Sequence, residues 1–265
     1  FIKDAVIGDR VRAKIMKMKK NYGFARLMEV LTPSPDRVEP LCPVARQCGG
    51  CQIQAMSYEA QLAFKTRKVE SNLKRIGKFE EIPMESIIGM EDPFHYRNKA
   101  QFPFGKNRDG KIITGFYAGR THSIIENTSC HLGKEVNEEI LEKILAWMNA
   151  FHVEPYNEAT GKGLMRHSLI RCGFRTGEIM VCLVINGRKI PGEEALVDSL
   201  KIIPGMTSIS LNVNKEKTNV ILGREVINLW GRPYIEDYIG EVKYQISPLS
   251  FFQVNPVQTE RLYGK

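Results

Sequence analysis

Three cysteines within ten residues constrain this chain more than anything else in it: Cys42-Pro-Val-Ala-Arg-Gln-Cys48-Gly-Gly-Cys51, spaced C-x5-C-x2-C. The two glycines let the backbone turn tightly around whatever the sulfurs hold. Pro43 removes a backbone donor and stiffens the turn. Three thiolates make an incomplete cage, because structural zinc and cubane iron–sulfur sites take four ligands. Cys130, in the polar, loop-like stretch Asn127-Thr-Ser-Cys130-His-Leu, is the best fourth ligand, whereas Cys172 and Cys182 sit in apolar, strand-like runs and read as core. His131 is a weaker candidate, since adjacent residues rarely point at one metal. Zinc and a 4Fe–4S cluster both stay open. The spacing favours iron–sulfur, because zinc sites usually pair two short C-x2-C knuckles and only one is present. A disulfide framework is disfavoured, as nothing else suggests secretion.

At 265 residues with 43% apolar composition, the chain can hold two domains and a sizeable core. Its net charge of +8 favours a polyanionic partner. Six cysteines, no apolar run of eighteen residues and no signal-like start point to a reducing, cytoplasmic setting. Phe1 is not an initiator methionine, so the start reads as cut or left out.

Residues 1–40 carry nine Lys or Arg against five Asp or Glu. Arg10, Arg12, Lys14, Lys17, Lys19 and Lys20 interleave with apolar residues in near strand alternation, predicting a ribbon that is basic on one face and apolar on the other. Asn21-Tyr-Gly23 reads as a turn and Phe24–Leu31 as the partner strand. Such a ribbon suits single-stranded RNA, by phosphate attraction and base stacking; it equally suits an edge strand blunted by lysines. Pro33, Pro35 and Pro40 mark a linker. Ser57–Ile76 predicts a helix capped by Ser57 and ended by Gly77. Arg97, Lys99 and Gln101 alternate along a strand and share a face. Helices are expected over 137–148 and 192–202, and a central strand, apolar on both faces, over Ile179–Ile185. Short strands are expected near 208–213, 219–222, 226–229 and 242–246. The pattern is α+β.

Taken in order, Cys42-x5-Cys48-Gly-Gly-Cys51-Gln, Tyr96-Arg-Asn-Lys-Ala-Gln101, Gly115-Phe-Tyr, the lone Cys130 and Ser247-Pro-Leu-Ser-Phe-Phe-Gln253-Val-Asn255 resemble the RNA uracil-5-methyltransferase family, and within it the 23S ribosomal RNA branch. The resemblance spans nearly the whole chain. It implies a multi-domain protein: the C-terminal part of a TRAM domain, a small OB-like RNA-binding β-barrel, over 1–40; an α+β iron–sulfur central domain over 41–53 and 86–245; a helix over 54–85 packing on the catalytic domain; and the start of a Rossmann-like methyltransferase domain over 246–265. It implies a 4Fe–4S cluster on Cys42, Cys48, Cys51 and Cys130, S-adenosylmethionine as cofactor with Gln253 binding it, and Phe251 beside a flipped uracil. It also implies RNA contacts from Gln101, Arg97 and the lysines 14, 17, 19 and 20. Phe252 stands where the family usually has an aliphatic residue.

The expected substrate is 23S ribosomal RNA, with the transfer RNA T-loop as alternative, and the expected state is monomeric. No G-x-G-x-x-G occurs. The nucleophilic cysteine and general base are expected beyond Lys265, which would make the chain a truncated and by itself inactive form. A standalone RNA-binding module with a structural metal is the competing class. A radical enzyme is disfavoured, because four-cysteine ligation leaves no open iron.

Overall fold

The computed structural model describes all 265 residues, which divide into two compact units, Phe1–Pro93 and Phe94–Lys265.

In the first unit, strands β1 (Ile2–Lys3), β2 (Arg10–Met18) and β3 (Gly23–Thr32) form a sheet in the order β1-β3-β2. The ribbon and its turn lie where the sequence predicts them, with Lys19 N–H donating to Tyr22 O at 2.7 Å. The clean division into a basic and an apolar face does not hold. Register shifts at three points along β2 break the alternation, and Ile15, Met16 and Met18 are exposed beside the lysines. Helix α1 (Tyr58–Arg75) is capped by Ser57, whose Oγ accepts from Ala60 N–H at 3.3 Å. It buries Ala60 against Val6 and Met56, and leaves Val69 exposed.

Asp9 ties this unit together. Its carboxylate, with its side chain 1% exposed, accepts from the backbone N–H groups of Val6 and Ser34 and from the Arg37 guanidinium at 2.5 Å. The Arg37 hydrogen bonds hold its pKa well below the usual carboxylate range, against the opposing effect of burial. A depressed folded-state pKa stabilises the fold above the unfolded value near 4 and loses that contribution as pH falls through the folded value. Asp9→Asn should therefore cost about 2 kcal/mol at pH 7, and the gap to wild type should narrow in urea melts at pH 3. An equal gap at both pH values would refute the assignment.

The second unit is built on a seven-stranded mixed sheet, ordered β10-β9-β8-β7-β4-β5-β6. Its strands are β4 (Lys99–Lys106), β5 (Ile112–Tyr117), β6 (Ile124–Glu126), β7 (Met165–Cys172), β8 (Ile179–Ile185), β9 (Met206–Val213) and β10 (Glu225–Gly231). Every residue of β8 is buried, as its apolar run predicts for an interior strand. Only β8 and β9 run parallel, because α3 (Glu193–Lys201) carries the chain across between them. Helix α2 (Val136–Ala150) and α3 cover one face through Ile140, Leu141, Ile144, Met148, Leu196 and Leu200.

Two details differ from expectation. Residues 219–222 are not a strand: Asn214 Nδ2 takes the carbonyls of Val220 and Ile221, and Asn212 side-chain atoms take Gly223 N–H and C=O, so the backbone there needs no strand partner. A strand absent from the sequence reading, β11 (Ile235–Ile239), pairs antiparallel with β12 (Val242–Ile246). Its alternation is masked by Asp237 at a fully buried position, where the carboxylate accepts from Phe174 and Arg175 N–H. No helix is long and apolar enough to cross a membrane.

Candidate functional site

The segment 247–255 joins β12 to α4 (Pro256–Tyr263), and its shape follows from how its ends are held. Ser250 Oγ accepts from Ser247 N–H at 3.0 Å, and Ser250 N–H donates to Ser247 O at 3.2 Å, closing a tight turn. Arg171 of β7, 3% exposed, reaches up from the sheet and donates through Nη2 to Ser250 O at 2.5 Å and, more weakly, Pro248 O at 3.5 Å. Burial pushes its pKa down to about 10, so the cation is retained at neutral pH. Asn98, just before β4, fixes the far side: its side chain donates to Gln253 O at 2.8 Å and its backbone N–H to Val254 O at 3.0 Å. Asn255 then caps α4 by accepting Gln258 N–H, with Pro256 at the first helical position.

Clamped at both ends, the two adjacent phenylalanines part. Phe252 is 7% exposed and packs with Met180, Ile235 and Ile246, its ring tilted against Tyr244. Phe251 is 86% exposed. The half-buried Gln253 follows, its backbone carbonyl already engaged by Asn98. On β4, Lys99 and Gln101 pair in register with Arg171 and Leu169, so both belong to the sheet region whose β7 residue clamps the loop. Burial, with Arg171 and Arg97 nearby, holds the Lys99 pKa below its ordinary value. Arg97 lies just outside the strand, its N–H donating to Leu132 O at 2.9 Å.

Asn98 and Arg171 were missed by the sequence reading. Asn98 passed as spacing between Arg97 and Lys99. Arg171 carried no clear signal, because its strand also holds Arg166, His167 and Ser168.

The lysines 14, 17, 19 and 20 are all exposed on the ribbon of the first unit. Beside them Phe1, Tyr22 and Phe24 form an aromatic cluster with ring centroids 5.5–5.7 Å apart. Cations and exposed aromatics together are what single-stranded nucleic acid binds.

The expected four-cysteine cage finds no support in the arrangement of the side chains. No group of three or more His, Cys, Asp or Glu side chains is arranged to hold a metal ion. Cys42 and Cys51 line a pocket of about 240 Å³, but Cys48 is buried with its sulfur accepting Gly50 N–H, and Cys51 Sγ accepts from Gln54 Nε2. Cys42, Cys48 and Cys51 are not arranged as a group that could hold a cubane cluster, and no chemistry is routed through one. Burial pushes the thiols of Cys172 and Cys182 up to about 12 and about 11, which makes both poor nucleophiles.

No family model matches the chain. Over its whole length it is 47% identical to a protein of Clostridium tetani and 47% to one of Clostridium acetobutylicum, and over 99% of its length 45% to one of Listeria monocytogenes, each named an uncharacterized RNA methyltransferase. The chain spans 57–58% of the length of these relatives. Among solved structures it matches the Pyrococcus abyssi tRNA (uracil-54, C5)-methyltransferase in complex with S-adenosyl-L-homocysteine, with a TM-score of 0.77 and 25% identity over 98% of this chain and 58% of that one. The chain is thus similar, end to end, to RNA methyltransferases.

Proposed function

We propose that this chain is part of an S-adenosylmethionine-dependent methyltransferase that methylates C5 of uridine in RNA. The observation that supports it most is the match along nearly the whole chain to an enzyme named for that reaction. The fixed loop 247–255 agrees with the roles the family resemblance gives its residues. S-adenosylmethionine would supply a methyl group activated on a sulfonium centre. Gln253 would hold that cofactor at its edge, with its backbone anchored by Asn98. Phe251 would offer a flat face to a base taken out of its stack. Gln101, with Arg97, would line the RNA approach, and the ribbon of residues 1–40 would attract phosphates through Lys14, Lys17, Lys19 and Lys20. Helix α1 would pack on the catalytic domain, and the enzyme would act as a cytoplasmic monomer. The nucleophilic cysteine and general base would come from a catalytic domain outside these 265 residues.

The proposed target is 23S ribosomal RNA. That choice follows from the pairing of a TRAM domain with a cluster that the family resemblance implies. Transfer RNA is the second reading, favoured by the substrate named for the solved neighbour. A map of 5-methyluridine in both RNAs from a strain lacking the gene tests this. Loss at ribosomal uridines is expected. Loss confined to the T-loop would keep the chemistry and move the target, and no loss in either RNA would sink the reading.

A further inference from the structure

The second unit carries a pocket of about 660 Å³ that the function proposed above does not use. It opens among the ends of β4 and β5, the start of β6 and the segment 154–158. Two flat platforms lie in its lining. Tyr117 and His122 stack at 5.0 Å with 20° between their planes, and His122 Nδ1 is 2.5 Å from Glu158 Oε2. The Arg166 guanidinium lies 4.3 Å over the Tyr156 ring, held by donating through Nη1 to Asn214 O and Glu216 O.

Two buried nitrogens behind this lining have no partner. His167, 7% exposed, contacts Tyr117 Oη through Nε2 at 3.4 Å, and its Nδ1 is unsatisfied. Arg166, 5% exposed, leaves its Nε unsatisfied. Burial, with Arg166 adding to it, pushes the His167 pKa down to about 4, so the ring is neutral and presents one donor and one acceptor.

We propose that this pocket binds a nucleobase, stacked on the Tyr117–His122 platform, with the Arg166–Tyr156 pair as a second flat surface in the lining. A flat, neutral group with several donors and acceptors along its edge fits this lining. Lys106 is already paired with Glu154 at 2.6 Å, which leaves the exposed Arg108 to suit an attached phosphate. The base comes from single-stranded RNA or from a free nucleotide. The RNA source rests on the function proposed above; the base-binding chemistry does not.

Fluorescence anisotropy with a labelled single-stranded RNA ten-mer tests the proposal, with AMP, GMP, CMP and UMP tested separately by calorimetry. The variants are Tyr117→Leu and His122→Ala; the second removes a half-exposed side chain and should leave the melting temperature unchanged. The RNA dissociation constant should rise roughly tenfold in each variant. Mononucleotide binding that weakens in the same variants would identify free nucleotide as an occupant; its absence would mean the base arrives within a chain. RNA binding that persists unchanged in both variants, with no mononucleotide bound, overturns the pocket and leaves the RNA reading intact. Mononucleotide binding that depends on His122, with no RNA bound, keeps the pocket and sinks the RNA reading. No binding of either kind overturns the pocket.

Discussion

Phe251→Ala in the intact enzyme should cut kcat/KM for RNA by about 10- to 100-fold, the size expected from losing one base–aromatic stack, with little change in melting temperature. The ring is 86% exposed, so its removal leaves no cavity. The neighbouring Phe252→Ala should do the reverse. That ring fills the cluster of Met180, Ile235 and Ile246, and truncating it should cost about 3–5 kcal/mol of stability. Methylation assays and thermal melts on the two single variants separate the roles. Phe251→Ala with wild-type activity would remove it from the site. Equal destabilisation by both would mean that the loop does not present the two rings as described.

Arg171→Met should lower activity about 100-fold without touching any group that meets substrate, since a displacement of about 1 Å in a positioned group costs that much. Two effects on stability oppose each other. Losing the guanidinium leaves Ser250 O and Pro248 O without their donor, at a cost of about 1–3 kcal/mol each. It also removes a buried cation that no carboxylate compensates, which is a relief. The net change in unfolding free energy should stay within about 2 kcal/mol, while amide exchange over 247–254 accelerates. Arg171→Lys should not restore activity, because the lysine ammonium ends one bond short of the Nη2 position that reaches both carbonyls. Unchanged exchange in the loop would show that Arg171 does not hold it.

Local chemistry made much of the fold legible. Ser57 announces α1 because its hydroxyl can take a free amide of the first turn, and Ile179–Ile185 announces an interior strand because a run apolar on both faces must be covered on both. The 235–239 strand was hidden for a complementary reason. Asp237 occupies a core position, and only the two amides of the 174–175 turn, more than sixty residues away in sequence, make that burial tolerable. The strand expected at 219–222 failed because Asn212 and Asn214 supply in side chains what a neighbouring strand would supply in backbone.

Residue types and their order were enough to determine which segments carry chemistry: the basic ribbon, the cysteine loop, the 97–101 strand and the 247–255 segment. These depend on charge, ring and thiol, which each residue brings with it. Tertiary structure alone decided which of two adjacent phenylalanines faces solvent, and that Arg171 and Asn98 are the clamps. Each of those outcomes depends on where distant backbone carbonyls and amides come to lie, and no local pattern encodes such distances.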